Sequence, residues 1–241
     1  MHGYRTEAAP TRRGGIAAAA LAALAAAALL LSGCAPAVDD SASAAQAESF
    51  PGIYAQTIDW GECGEDFYLG EAAAERLAEA GAPVETFECG TVDAPLDWNR
   101  PESHETIQLA AVRIPSAGKG KPIGTLLSNP GGPGESGIRL AYSLTMSEGF
   151  AETFEHYDLI GFDPRGIGRS TPVECESFSN IFELDIAACA KDYPLARSMG
   201  TSQVARDMEL LRHLSGDDEM HYLGYSYGTM LGATYATLFP E

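Results

Sequence analysis

The stretch that most restricts what this chain can fold into is 224–228, Gly-Tyr-Ser-Tyr-Gly. It follows a short apolar run at 221–223 and precedes a run of helical character at 229–238. A G-x-S-x-G pentapeptide between strand and helix forces a sharp turn, and that turn projects the serine hydroxyl from the end of a sheet. Glycine on either side lets strand and helix pass closely, with no Cβ between them. Ser226 is therefore the candidate nucleophile, set against the plain alternative of a Gly-rich turn that contains a serine.

Two upstream loops bear on that choice. Asn-Pro-Gly-Gly-Pro-Gly-Glu-Ser-Gly at 129–137 directly follows an apolar run at 124–128. A Gly-rich loop at that place can turn backbone N–H groups toward the serine. Acyl transfer needs such donors, because its tetrahedral intermediate carries a negative oxygen. The N–H of Tyr227, next after the nucleophile, is one expected donor and that of Gly132 the other, with Gly131 and Gly134 shaping the loop. Asp-Pro-Arg-Gly-Ile-Gly-Arg-Ser at 163–170 follows another apolar run. Here Asp163 and Arg165 are expected to brace loops around the site. A phosphate-binding reading is weak, since no G-x-G-x-x-G leads into a helix.

Strands are expected at 86–95, 107–114, 124–128, 157–162 and 222–225. Helices are expected at 71–80, 136–145 and 148–154. One more begins with Thr201 or Ser202 as N-cap, carries Val204, Met208, Leu211 and Leu214 at helical spacing, and ends at Gly216. Alternating strands and helices give an α/β class with a mostly parallel sheet flanked by helices.

The first 33 residues read as a targeting segment. Arg5, Arg12 and Arg13 precede 16 residues of Ala, Leu and Ile at 16–31, too short for an ordinary membrane span. Leu-Ser-Gly-Cys at 31–34 resembles a bacterial lipobox, with cleavage before Cys34 and a lipid on its sulfur. A plain secretory signal is the alternative, and Thr-Arg-Arg at 11–13 faintly suggests twin-arginine export. Residues 34–58, rich in Ala, Ser and Asp near the start, read as a flexible tether, and 59–241 as the folded part. The expected location is outside the cytoplasm, lipid-anchored or secreted. A net charge of −19 with no Lys/Arg cluster argues against nucleic-acid binding.

Beyond Cys34 lie Cys63, Cys89, Cys175 and Cys189, an even number outside the cytoplasm, which suggests disulfides. Sequence proximity favours Cys63 with Cys89 and Cys175 with Cys189, each contributing roughly 3 kcal/mol in the chain-entropy model. Zinc is the alternative, without C-x-x-C or H-x-x-x-H spacing in its support. No metal or other cofactor is expected.

Taken in order, GGPG at 131–134, DPRGIGRS at 163–170 and GYSYGT at 224–229 resemble α/β-hydrolases of the prolyl aminopeptidase group. With CGTVDAPLDW at 89–98, the two cysteines after DPRG and YATLFP at 235–240, the chain is similar to the secreted actinobacterial tripeptidyl aminopeptidase-like branch, over about residues 60–241. The resemblance implies exopeptidase action on peptide N-termini through Ser, Asp and His, with a peptide as partner.

The sequence departs from that pattern after the serine. In this fold the acid and the His follow the nucleophile along the chain. Only 15 residues follow Ser226, with no His and one acid, Glu241. His221 lies five residues before Ser226, roughly 16 Å away along an extended strand of about 3.3 Å per residue. His213, His156 and His104 also fall on elements that read as structural. The expectation is the N-terminal portion of an α/β-hydrolase domain, carrying the nucleophile half of a serine hydrolase, with an unpaired edge at its fifth strand. The alternatives are an esterase or other acyl hydrolase on the same scaffold, and an inactive peptide-binding lipoprotein or remnant.

Overall fold

In the computed structural model, which describes residues 41–174 and 189–240, the apolar runs pair into one six-stranded sheet of order β1-β2-β3-β5-β4-β6. The strands are β1 (Gly61–Glu62), β2 (Glu88–Pro95), β3 (Thr106–Ile114), β4 (Gly124–Asn129), β5 (Tyr157–Phe162) and β6 (His221–Gly224). β1 has only two exposed residues and leaves no apolar signal in the sequence.

The sheet is mixed. β4 pairs parallel with both β5 and β6, whereas β1–β2, β2–β3 and β3–β5 are antiparallel. The parallel pairings are those whose strands are joined through helices, as such crossovers require. Those helices are α4 (Gly137–Thr145) and α5 (Ala151–Phe154) between β4 and β5, and α6 (Thr201–Ser215) between β5 and β6. β2 and β3 are linked by a short loop at 96–105 and fold back antiparallel. β6 is the last strand in the order, and its outer edge has no strand partner among the described residues.

Both faces of the sheet are buried. Along β3, Leu109 and Ala111 join one core with Val92, Leu127, Ile160, Phe162 and the inner faces of α6 and α7 (Tyr227–Leu238). Ala110 and Val112 join a second core with Leu159 and with Ile138, Ala141 and Leu144 of α4. The period of two along the strand sorts adjacent residues into opposite layers. This is why strands buried on both faces read as continuous apolar runs.

Two expectations change. Residues 42–54, read as tether, instead form α1 (Ala42–Ser49) and α2 (Pro51–Tyr54). Composition misleads here because a few anchors dominate. Phe50 meets Trp98 edge-on at 4.8 Å between ring centroids, Tyr54 is buried, and Gln46 accepts from Arg206 while donating to the Tyr54 hydroxyl. The N-cap of α6 is Gly200, not Thr201 or Ser202. Thr201 Oγ1 shares a 2.6 Å hydrogen bond with the Tyr227 hydroxyl instead. The expected end at Gly216 is present, left-handed at φ 75°. The helix expected at 71–80 is α3 (Glu71–Glu79).

Cys63 and Cys89 form a disulfide, tying the β1 region to β2. Cys189 is also disulfide-bonded. Its expected partner Cys175, the targeting segment, Cys34 and Glu241 lie outside the described residues. Among the described residues no helix is long and apolar enough to cross a membrane.

Candidate active site

Ser226 stands between β6 and α7 with φ 51° and ψ −123°. That is a sparsely populated conformation for a residue with a side chain, costing about 1–3 kcal/mol, and it persists only where the surroundings enforce it. The enforcement is visible on both sides. Tyr225 N–H donates to Asn129 O at the end of β4, and Gly228 N–H donates to Tyr225 O at 2.7 Å. A Cβ on Gly228 would stand 2.7 Å from Asn129 O, so only glycine lets α7 start this close to β4. Ser226 itself is exposed. Tyr222 donates its hydroxyl to Gly228 O at 2.9 Å, beneath the turn. Burial, and then the neighbouring Tyr227, push its pKa up, so the phenol stays protonated and remains a donor.

The loop after β4 lies directly against this turn. Gly131 has φ 95°, and a Cβ there would meet Tyr225 O at 2.5 Å and Tyr227 N at 2.8 Å. Its own N–H is taken by Asn129 Oδ1 at 2.9 Å. The N–H groups of Gly132 and Tyr227 have no protein acceptor among the described residues. Gly131→Ala therefore combines a disallowed φ with a backbone collision and is expected to cost about 2–4 kcal/mol. Gly134→Ala has a similar φ but its nearest neighbour is Ile167 Cδ1 at 3.7 Å, so it should cost nearer 1 kcal/mol. Thermal melts of the two variants side by side check the difference.

Asp163 and Arg165 occupy the base of the next loop and are both fully buried. Asp163 Oδ1 accepts from Ser136 Oγ at 2.5 Å and Oδ2 from the Tyr68 hydroxyl and the Arg169 N–H, each at 2.9 Å. It thereby joins the N-cap of α4 to the loop 163–170. Burial, then the bond to Asp163, raise the Tyr68 pKa, which keeps the phenol a donor. The guanidinium groups of Arg139 and Arg169 lie over the Tyr68 ring, 4.1 Å and 4.7 Å from its centroid.

Arg165 does more than the sequence reading assigned to it. It grips Asp207 of α6 with both ends of its fork, Nε to Oδ2 at 2.7 Å and Nη2 to Oδ1 at 2.6 Å. It also donates to Pro95 O, Leu96 O, Ser198 O and Gln203 Oε1 at 3.0–3.2 Å. One side chain thus fastens the ends of β2 and β5 to α6. Asp207 further accepts from Trp98 Nε1 at 2.8 Å, and Gln203 Oε1 from Trp98 N–H at 2.9 Å. Asp207, Gln203 and Trp98 escaped the sequence reading of this network. On a helix whose apolar stripe is plain, polar residues beside the stripe read as solvated. The available signal was the buried arginine's need for a carboxylate.

An apolar cavity of about 260 Å³ opens between these loops, lined by Gly131, Pro133, Pro164, Ile167, Met199, Val204, Tyr227 and Leu231 among others. Two of the described histidines pack against aromatic rings, and His104 and His156 are exposed. His221 packs edge-on to Tyr157 at the far end of β6, and His213 to Tyr54. Among the described residues no cluster of His, Cys, Asp and Glu could hold a metal ion. The arrangement presents an exposed hydroxyl at a strained turn, with two unengaged N–H donors on either side and an apolar cavity beside them.

Comparison with known proteins agrees with this geometry. Residues 124–241 match the family model described as alpha/beta hydrolase fold. The tripeptidyl aminopeptidase of Streptomyces lividans is 35% identical over 209 residues, covering 76% of this chain and 36% of that protein. The serine protease Hip1 of Mycobacterium tuberculosis is 35% identical over 180 residues, 64% of this chain and 34% of its own length. A carboxylesterase B of the same species is 32% identical over 154 residues, 54% and 29% of the two chains. The chain spans about a third of the length of these relatives. Strand order, elbow and loops, with the family-model match, make residues 124–241 an α/β-hydrolase domain, and serine peptidases and hydrolases are among the named relatives of the chain.

Proposed function

We propose that this chain carries the nucleophile half of an extracytoplasmic serine aminopeptidase that releases short peptides from peptide N-termini. The conformation of Ser226 carries the reading: a side-chain-bearing residue at φ 51°, exposed at a strand–helix turn, holds strain that a merely connecting turn would shed by using glycine. In the proposed reaction Ser226 Oγ attacks the peptide carbonyl carbon, and the carbonyl oxygen takes the negative charge. The N–H groups of Tyr227 and Gly132 receive that oxygen, while Gly131 cannot because Asn129 holds its N–H. The amine leaves with a proton, and water then releases the acyl group. The His that moves those protons, and its acid, are proposed to come from residues outside this span, which covers about a third of the relatives' length. Asp163 and Arg165 support the loops. The targeting segment at 1–33 and lipidation at Cys34 are proposed to hold the protein at the outer membrane face.

An ester-cleaving reading is the alternative. The elbow and loop serve esters equally, and one relative bears a carboxylesterase name.

The test is to label membrane and secreted fractions of the producing cells with a fluorophosphonate probe and to blot for this protein. A labelled band well above 25.4 kDa, the mass of this chain, supports the reading. An unlabelled band at or below that mass overturns it in favour of an inactive lipoprotein.

A further inference from the structure

The cavity beside the elbow has walls from four separate parts of the chain. Gly131 and Pro133 come from the loop after β4, and Pro164 and Ile167 from the loop after β5. Met199 and Val204 come from the entry to α6, and Tyr227 and Leu231 from the first turns of α7. Val204 and Leu231 are buried, so the inner end is formed by branched aliphatic side chains. Among the residues that line it, Arg165 is the one with a charged side chain, and its guanidinium is committed to Asp207 and to backbone carbonyls. No charged side chain in the cavity is therefore left to pair with a charged ligand group, and burying one there without such a partner would be costly. Its volume, about 260 Å³, falls just under the roughly 300 Å³ at which sites for drug-sized ligands begin. That suits one side chain and not a stretch of peptide.

Its position is as telling as its lining. Gly131 and Tyr227 both border the cavity, and a Cβ on Gly131 would touch Tyr227 N. The cavity thus starts where the proposed oxyanion donors are, next to the substituents of any carbonyl held there. The walls are also fixed. Arg165 ties the loop after β5 to Ser198, Gln203 and Asp207, and the Tyr227 hydroxyl is tied to Thr201 Oγ1 at 2.6 Å. Met199 packs directly on Gly166, where a Cβ has no room. A pocket whose walls are already fixed loses little free energy to ordering when it is filled.

We infer that this cavity is the subsite for the side chain of the residue whose carbonyl Ser226 attacks, and that it selects a medium-sized apolar residue such as Leu over Gly or Asp. The inference rests on the proposed nucleophilic role of Ser226, but its test does not need turnover. The full-length protein as its cells produce it, carrying Ser226→Ala, is titrated by calorimetry with Ala-Ala-Leu-amide, Ala-Ala-Gly-amide and Ala-Ala-Asp-amide. The Leu peptide is expected to bind at least about 10-fold tighter than the Gly peptide, the order of discrimination that apolar pockets achieve, with the Asp peptide weaker still. Ile167 is half-buried at the rim, so Ile167→Trp fills the space without disturbing the core and should bring the Leu-to-Gly ratio down to about 1–3. Met199→Ala enlarges the space and should move the preference toward Ala-Ala-Phe-amide. Equal binding of the three peptides, no binding of any, or a Leu preference untouched by both pocket variants overturns the subsite. Turnover of the matching p-nitroanilides by the protein with Ser226 intact is a separate reading. Its absence alongside Leu-selective binding would count against the peptidase proposal and leave the subsite standing.

Discussion

Replacing Ser226 by alanine in the full-length protein is expected to lower kcat for peptide or ester hydrolysis by about 10⁴–10⁶-fold, the scale of removing a nucleophile from a serine hydrolase. Little else should change, because the side chain is exposed and caps nothing at the start of α7. Residual hydrolysis would come from the Gly132 and Tyr227 N–H groups and from substrate binding alone. Ser226→Gly should be as inactive, yet more stable than the parent by about 1 kcal/mol, since glycine occupies φ 51° without strain. That opposite movement of activity and stability separates a functional elbow from a tolerated irregular turn. Initial rates and urea midpoints on the three proteins measure both. Full activity in the alanine variant, or a glycine variant less stable than the parent, would contradict the reading.

The largest loss of stability is expected at Asp207. Asp207→Ala removes both acceptors of the Arg165 fork and the acceptor of Trp98 Nε1, all inside the protein. A buried guanidinium left without its carboxylate costs about 3–5 kcal/mol, a large share of the roughly 5–15 kcal/mol that holds an ordinary domain together. Arg165→Met with Asp207→Leu should recover more than half of that loss, because two apolar side chains of similar volume avoid the orphaned charge. Recovery should stay incomplete, since Pro95 O, Leu96 O and Ser198 O lose a donor in the double variant. A urea midpoint within about 1 kcal/mol of the parent for Asp207→Ala would show that water reaches the arginine.

Much of the site is local in sequence, and that explains how much could be read. The elbow pentapeptide, the loop 129–137 and the helix stop at Gly216 depend on backbone conformations that only certain residue types accept. Those residues lie next to one another in the chain. The apolar runs that became β3, β4 and β5 were legible for the same reason, since burial on both faces leaves no polar alternation. The N-terminal helices were not legible. Their stability comes from Phe50 on Trp98 and Gln46 against Arg206, partners 48 and 160 residues away by position, and composition carries no trace of such contacts.

By itself the sequence determined the class of fold and the serine proposed as nucleophile, because strand–turn–helix geometry around a Gly-flanked serine is a short-range steric matter. It also determined that Gly131 to Gly134 form a loop able to offer backbone donors. Tertiary structure decided which donors are available, by engaging Gly131 N–H with Asn129. It decided that the sheet is mixed, by leaving β2 and β3 without crossover helices. It decided what Arg165 does, by bringing Asp207, 42 residues further along the chain, to its fork. Hydrogen-bond satisfaction of a buried charge is a condition on space, not on sequence neighbours. For that reason the residues that hold this site rigid became apparent only once the chain was folded.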